Sequence, residues 1–447
     1  MAVARCLVEA WVGGAFRTVG QVSVLDDEAG YRGAARFEYD LDYVETALGA
    51  IDARAVSCRY PVSYSSFDEE VWPSFLLDLM PSGAARRFWE AELSLPNTPR
   101  SDWAMLARGG GNPPGNVRIV TLGGSGPEGA VAAEHPGFTR DEVIERGERF
   151  LEYARAHGAP IAGSSGAAGD SPKFLLREDA RGRFHADGVL PDARTRRSWL
   201  VKFPRSPREA DRLILQAEAG YWAVARELGV RVGEPLAWER DALFVPRFDR
   251  PQAGGRVERL GLESLASLAG VTEFGAPTPK DDLVAAVLAV SSDPLADLRE
   301  LVLRDVLDVA MGNTDNHARN TAVLKDARGG VRVAPLYDFA PMMLDPAIAR
   351  VCRWRGDEVG GYPTWDTLAD TLGRLGVTGA DAAEVRGWLA ELAPAVAALP
   401  ATMRAAGVPG RVVEAAEHRI ERVARGLPKE PPRARGKAAP RGRARAR

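Results

Sequence analysis

The sequence predicts an α+β protein in which a small α+β unit precedes two lobes, the first rich in strands and the second mainly helical. Three observations predict this. At 447 residues the chain is too long for one ordinary hydrophobic core. Its contents of 45% hydrophobic and 27% charged residues are typical of globular proteins. Short strand-like runs dominate the first half, and helical spacing dominates after residue 260.

The small α+β unit is predicted over residues 1–125. Residues 6–24 alternate apolar with small or polar side chains around Gly13-Gly14, which is typical of a β-hairpin. Residues 72–92 instead repeat their apolar side chains at helical spacing. Strand and helix signals therefore occur together in this unit.

The strand-rich lobe is predicted over residues 126–250, beginning with a linker rich in Gly, Pro and Ala. Thr139 and Glu142 have the spacing of a helix capping box. Further signals are three apolar runs that suit strands, at residues 174–176, 199–203 and 243–248, and a helical pattern at 208–228.

The helical lobe is predicted over residues 251–426, interrupted by a strand near 331–333. Residues 427–447 form a basic tail in which Glu430 is the only acid, and this composition predicts disorder. A solvated, disordered end is the favoured interpretation of the tail. The alternative is non-specific contact with nucleic acid or an acidic partner.

Composition excludes several classes of protein. The net charge of -3 implies no global attraction to nucleic acid or membranes. The three cysteines are far apart, with no CxxC pair, so neither a zinc site nor a disulfide framework is indicated. No apolar run approaches the roughly 18 residues of a membrane span, and the N-terminus lacks a signal-peptide pattern. We expect a cytoplasmic protein without membrane contact.

The run Gly-Asn-Thr-Asp-Asn-His-Ala-Arg-Asn at residues 312–320 is the most informative feature of the chain. Asp315 and Asn320 are separated by four residues, as in the catalytic loop of protein kinases, where the Asp accepts a hydroxyl proton and the Asn holds a metal. Downstream, Asp338 begins an Asp-Phe-Ala sequence similar to the metal-binding Asp-Phe-Gly of kinases. The alternative is a polar turn.

His317 lies between these residues. A carboxylate nearby can orient its ring, and it is a candidate catalytic residue. A structural His that packs the loop is the more probable alternative. Asn320 and Asp338 supply oxygen ligands of the kind that Mg²⁺ prefers.

Lys202 is the candidate cation for the phosphates of ATP. It lies in an apolar run, where a charge is costly unless it is paired. Glu218 on the following helix is the expected partner, and Glu209 near the helix start is the second choice. The alternative is a strand-edge Lys with its charge in water.

A phosphate cradle is the candidate role of residues 164–173, because small residues let backbone N–H groups approach anionic oxygens. Gly166, Gly169 and Lys173 are the residues that would contact ATP. By itself the run more often indicates a flexible surface loop.

Together these residues resemble the HipA family of atypical serine/threonine kinases, the toxin halves of bacterial toxin–antitoxin modules. The resemblance covers residues 10–343. Its motifs are the catalytic run, the Pro-Leu-Tyr-Asp run at 335–338, Tyr-Pro-Val-Ser at 60–63 and Phe-Leu-Leu-Asp-Leu-Met-Pro-Ser-Gly at 75–83. Residues 243–250 resemble the family's hinge strand.

The resemblance implies an atypical, kinase-like fold and a set of roles. Asp315 would be the base, Asn320 and Asp338 would bind Mg²⁺, and Lys202 would hold ATP phosphates. The hinge, with Arg247 and Phe248, would contact the adenine through its backbone. The family loop also carries a Ser whose autophosphorylation inactivates the kinase, and here the candidates are Ser164, Ser165 and Ser171.

Two departures from the family pattern stand out. A Gly-Asp-Ser-Pro-Lys segment at 169–173 replaces a shorter family segment, so Ser171 competes for the regulatory role. Pro246 replaces an acidic residue often found at the hinge. The three acid and amide positions of the catalytic core are unchanged.

The resemblance implies an ATP- and Mg²⁺-dependent kinase that phosphorylates a cellular protein, inhibits growth and is restrained by a HipB-like DNA-binding antitoxin. Contact with DNA would then be indirect. Two alternatives stay open, a small-molecule kinase and a non-catalytic nucleotide-binding subunit of a repressor complex, because fold does not settle substrate.

Overall fold

The computed structural model describes residues 4–121, 135–157 and 171–429. Three predicted segments lie outside the described residues. They are most of the linker, the glycine-rich loop up to residue 170 and the basic tail from residue 430. No helix within the described ranges is both long and apolar enough to span a membrane.

The N-terminal unit contains an antiparallel sheet with the strand order β4-β3-β2-β1-β5. The predicted hairpin is present, and Gly13 and Gly14 turn the chain at positive φ, where a side chain would be strained. The strands are β1 (Ala4–Val12), β2 (Ala15–Val24), β3 (Ala35–Tyr39), β4 (Phe67–Glu69) and β5 (Val117–Thr121).

Helices pack on one face of this sheet around buried Phe37, Trp72 and Leu76. The Pro-Ser-Gly break separates two helices where the spacing predicted them. The helices are α1 (Leu41–Ala47), α2 (Phe75–Leu79), α3 (Gly83–Glu92) and α4 (Ser101–Gly109).

A second antiparallel sheet follows, with the order β7-β6-β8-β10-β9. Lys202 at the end of the central strand pairs in register with Lys173 on one side and Leu243 on the other. The strands are β6 (Lys173–Asp179), β7 (Phe184–Ala186), β8 (Thr195–Lys202), β9 (Ala237–Glu239) and β10 (Ala242–Pro246).

Three helices accompany this sheet. The capping box predicted at Thr139 and Glu142 is formed, with both of its hydrogen bonds present. Buried Phe150 and Phe174 join the preceding helices to the sheet. The helices are α5 (Arg140–Glu145), α6 (Glu148–Ala156) and α7 (Glu209–Glu227).

The C-terminal part is mainly helical around one apolar core that includes Tyr221, Leu298 and Trp365. Helix α10 ends where predicted, with Gly312 at a φ of 73° as its left-handed C-cap. The helices are α8 (Leu265–Leu268), α9 (Lys280–Val290), α10 (Pro294–Met311), α11 (Trp365–Gly373), α12 (Ala382–Ala405) and α13 (Gly410–Gly426).

Strands in this part exceed the expectation of one strand near 331–333. One strand of a three-stranded sheet, β13-β14-β15, precedes the catalytic run in the chain, and the other two follow it. The first strand was not predicted, because it is defined by long-range pairing with β14 that local periodicity does not reveal. The strands are β11 (Gln252–Ala253), β12 (Arg256–Val257), β13 (Gly261–Ser264), β14 (Ala322–Lys325), β15 (Val331–Val333), β16 (Glu358–Val359) and β17 (Tyr362–Pro363). The predicted α+β class is confirmed, while the predicted domain boundaries stay predictions.

Candidate active site

Lys202 is buried at the end of β8 and is paired as predicted. Its Nζ lies 2.6 Å from Glu218 Oε1 on α7, and it also forms an ion pair with Asp338. Burial by itself would lower the pKa of Lys202, but the carboxylates of Asp338 and Glu218 outweigh it and hold that pKa above its ordinary value. Glu209 is exposed and contacts Arg411 instead.

Asp338 lies between two lysines. Besides Lys202, Lys173 Nζ is 4.0 Å from its Oδ2. Burial raises the pKa of a carboxyl, yet Lys202 and Lys173 together hold the pKa of Asp338 well below its usual range. Its backbone has a φ of 50°, a left-handed conformation that is uncommon outside Gly and is concentrated at functional sites.

The catalytic run folds back on itself around Asp315. Asn320 Nδ2 donates to the backbone carbonyl of Asp315 at 2.7 Å, and the backbone N–H of Asn320 donates to the carbonyl of His317 at 2.9 Å. His317 Nε2 lies 3.4 Å from Asp315 Oδ1, while its Nδ1 accepts from the backbone N–H of Arg319. These contacts close the loop and fix the position of Asp315 within it.

The electrostatics of the run follow from burial. Burial raises the pKa of Asp315, and Asp338 adds to this effect, so the two carboxylates are close enough to interact. Burial also lowers the pKa of His317, which favours the neutral imidazole. A buried carboxylate with a raised pKa is suited to accept a proton.

Magnesium fits the oxygen donors of this site. Asn320 Oδ1 is buried without a hydrogen-bond partner among the described residues, and Asp338, whose carboxylate is close enough to Asp315 to interact with it, is held ionised. Among those residues no cluster of three His, Cys, Asp or Glu side chains could hold a metal by itself. This is compatible with Mg²⁺, which takes one or two protein ligands and completes its shell with phosphates and water.

A cleft opens between the strand-rich sheet and the helical part. Its far wall is apolar, and its inner end carries Lys173, Lys202, Glu218 and Asp338. An apolar slot that leads to two cations and two carboxylates suits a flat aromatic base joined to an anionic chain with its metal ion. The apolar side chains that line it are Leu175, Leu200, Trp222, Leu236, Val245 and Leu262.

The predicted hinge residues border this cleft, but they differ in what they can offer. Phe248 packs near Tyr337, with ring centroids 6.0 Å apart. The guanidinium of Arg247 is buried against Asp187 and Asp249, the latter at 2.6 Å. The side chain of Arg247 is therefore occupied, and any contact with a nucleotide falls to its backbone.

Several predicted residues cannot be located. Gly166, Gly169, Ser164 and Ser165 lie outside the described residues. Ser171 is half-buried just before β6.

Sequence reasoning missed two contacts that hold the site. Asp78 of the N-terminal unit pairs with Arg319 inside the catalytic run, at 2.7 Å. Arg205, at the entry to α7, pairs with Asp211 and with Asp345, which follows Asp338 in the chain. The Asp78–Arg319 and Arg205–Asp345 pairs have no local sequence signal, because their partners come from distant segments, whereas Arg205 and Asp211 are only six positions apart.

Comparisons with known proteins identify the family. Residues 9–120 match the model of the HipA N-terminal domain, and residues 165–399 match that of the HipA-like C-terminal domain. A protein of Sinorhizobium fredii named "Putative kinase Y4mE" is 27% identical over 325 residues, which cover 69% of this chain and 73% of that protein.

A solved structure has a similar fold. It is a chain from the complex of the Shewanella oneidensis toxin–antitoxin system HipA, HipB and its operator DNA. The TM-score is 0.63 at 17% identity, covering 95% of this chain and 96% of the other. The fold and the paired Lys202 define a kinase-like, two-lobed α+β protein. The chain belongs to the HipA family.

Proposed function

We propose that this protein is an ATP- and Mg²⁺-dependent serine/threonine protein kinase that acts as a HipA-like toxin in the cytoplasm. One observation carries the proposal. Lys202 joins Glu218 on α7 to Asp338 after the catalytic run, which is the Lys–Glu–Asp arrangement that phosphoryl transfer requires. The HipA family membership and the kinase name of a relative support it.

In this mechanism the side chains of the protein position the reactants and neutralise the charge of the phosphates. Lys202 and Lys173, which line the cleft, supply positive charge for this. Asp338 and the free Oδ1 of Asn320 would hold Mg²⁺, which when bound neutralises charge on the transferred phosphate. Asp315, with its raised pKa, accepts the proton of the attacking hydroxyl, and His317 keeps the loop closed beside it.

The decisive experiment is phosphate incorporation from labelled ATP by the purified protein. We expect Asp315→Asn to reduce incorporation by roughly 1,000-fold or more, because the proton acceptor is lost while the hydrogen bonds of the loop are kept. Asp326→Asn is the matched control, since Asp326 caps the turn between β14 and β15 outside the cleft. Full activity of Asp315→Asn would refute the proposed base.

The acceptor is tested in the same reactions by mass spectrometry. Phosphopeptides from a lysate protein support the protein-kinase proposal, whereas a phosphorylated metabolite without phosphopeptides supports a small-molecule kinase. Tight ATP binding without turnover supports a non-catalytic subunit. A phosphopeptide containing Ser164, Ser165 or Ser171 supports autophosphorylation.

We also propose a HipB-like, DNA-binding antitoxin as the partner, through which the protein would contact DNA indirectly. The solved relative in complex with HipB and operator DNA supports this. Co-expression with the neighbouring reading frame tests it. We expect a stable complex, in which this protein is retained on operator DNA only when the antitoxin is present. No complex at micromolar concentration would contradict the proposal.

A further inference from the structure

The half-buried carboxylate of Asp78 links the N-terminal unit to the catalytic run. Asp78 in α2 accepts a hydrogen bond from Arg319 Nη1 at 2.7 Å. Arg319 is buried and lies one residue before Asn320. The two residues are 241 positions apart in the chain, so this contact exists only in the folded protein.

Arg319 depends on Asp78 for its counter-charge. Within the described ranges, Asp78 is the only acidic side chain that pairs with Arg319, and the Nε and Nη2 atoms of Arg319 have no hydrogen-bond partner there. The guanidinium otherwise lies 4.6 Å from the ring centroid of Phe274. A buried guanidinium without a counter-charge is costly, so loss of Asp78 would displace Arg319 and the loop that carries it.

Asp78 reaches the same loop by a second route. It accepts from the backbone N–H of Ser264 at 2.9 Å and from Ser264 Oγ at 2.7 Å. Ser264 caps helix α8, and the first residues of that helix donate to the carbonyls of Ala318 on the catalytic run and of Thr321 directly after it. One carboxylate thus restrains the run through a side chain and through a helix start.

The backbone of Arg319 is held from the opposite side. Tyr337 OH donates to the carbonyl of Arg319 at 2.9 Å, and Tyr337 precedes Asp338. Asp78, Arg319 and Tyr337 therefore form a chain of contacts between the N-terminal unit, the proton acceptor's loop and the metal-binding segment.

We propose that Asp78 is a positioning residue for the catalytic run, so that the N-terminal unit sets the turnover rate of the site without contacting substrate. The inference rests on the proposed kinase function for its catalytic consequence, but the restraint on residues 312–320 can be measured independently. Any partner that moves α2 would change the rate through the same pair.

The experiment uses the full chain with Asp78→Asn, Arg319→Ala and the double variant. Asn has nearly the shape of Asp but cannot neutralise Arg319. Glu263→Gln is the matched control, because Glu263 is a buried carboxylate that contacts Cys58 of the N-terminal unit and Lys325 rather than Arg319. Each variant is characterised by kcat, the KM for ATP, thermal midpoint and hydrogen–deuterium exchange.

We expect Asp78→Asn to lower kcat by about 10- to 100-fold with an unchanged KM for ATP, because a displaced base slows chemistry without altering the cleft. Exchange in residues 312–321 should accelerate in this variant. Glu263→Gln should lower the thermal midpoint without either effect. The double variant should lose no more activity than the worse single variant, since both disrupt one interaction.

Two results would overturn the inference. One is an unchanged kcat and unchanged exchange over residues 312–321 in Asp78→Asn. The other is a matching loss of activity in Glu263→Gln, which would show that Asp78 affects activity only through the overall stability of the fold. If the wild-type chain transfers no phosphate, the kinase proposal fails, and the exchange measurement alone decides whether Asp78 restrains the loop.

Discussion

Asn320 donates its side-chain N–H to the backbone carbonyl of Asp315 at 2.7 Å, and its own amide oxygen is buried without a hydrogen-bond partner in the part of the chain that the structure describes. One amide thereby closes the loop of the proposed base and keeps an oxygen for the proposed metal ion. This relationship explains why an Asn, rather than an Asp, suits the position: a carboxylate could not donate to the Asp315 carbonyl.

Replacement of Asn320 by Ala should raise the Mg²⁺ concentration required for half-maximal phosphate transfer by about 10- to 100-fold, because both the ligand and the loop closure are lost. Asn313→Ala is the control, since Asn313 is equally buried but donates to Asp308 at 2.8 Å. A Mg²⁺ titration that is identical for both variants would contradict the metal-binding role.

The pH dependence of kcat/KM should reflect Asp315. Burial raises its pKa, so the base is protonated, and activity falls, at a higher pH than the ordinary Asp value of about 3.9 would give. His317 opposes this shift, so His317→Asn should move the acid limb to still higher pH. His418→Asn, on the exposed face of α13, should leave the limb unchanged. A limb that moves to lower pH in His317→Asn would refute this account.

Substitution of Lys202 by Met should abolish phosphate transfer and lower the free energy of unfolding by about 3 kcal/mol, because buried Glu218 loses its cation and half-buried Asp338 keeps Lys173 at 4.0 Å. Adding Glu218→Gln should recover part of that stability. Urea denaturation measures both, with Glu209→Gln as the exposed control, expected within about 0.5 kcal/mol of wild type.

The loss of stability in Lys202→Met should also depend on pH. The pKa of Asp338 is lowered in the folded protein, so its stabilisation is present above the unfolded carboxyl pKa and is lost as pH falls. The stability difference between wild type and Lys202→Met should therefore shrink in acid. A difference that grows in acid would contradict the pairing.

Asp249 ties the hinge to the N-terminal unit. It accepts hydrogen bonds from Arg247 and from the backbone N–H of Gly115, the latter at 2.8 Å. Burial raises the pKa of Asp249, but the positive charges of Arg247 and Arg250 outweigh it and lower that pKa to about 2. Its stabilisation is present above about pH 4 and is lost as pH falls toward 2.

Asp249→Asn should therefore destabilise the protein by roughly 2 kcal/mol at pH 7 and much less near pH 2. Thermal denaturation against pH tests this. Asp326→Asn, in an exposed turn, serves as the control. Equal destabilisation of Asp249→Asn at both pH values would show that charge is not the cause.

Much of the site was predictable from local pattern. The four-residue spacing between Asp315 and Asn320 is a property of one loop, and the Gly312 helix stop is local backbone chemistry. The pairing of Lys202 with Glu218 followed from a costly charge in an apolar strand beside a helix that carries a carboxylate. These inferences use only neighbours in the chain.

Other features had no local signal. Strand β13 pairs with β14 across about 60 residues, and the occupation of the Arg247 guanidinium depends on Asp187, which directly follows β7. Asp78 looked like one acid in an apolar helix until the fold brought it against Arg319. Each is decided by which surfaces pack together.

The sequence by itself determined the family and the α+β class, and it supplied the candidates for the base and the oxygen ligands, because these reside in residue type and short spacing. Only the tertiary structure decided which charges are buried together, and therefore which carboxyl has a raised pKa and which is held ionised. Burial and the partners that accompany it set those properties, and the partners include Lys202 and Asp338, which are 136 positions apart in the chain.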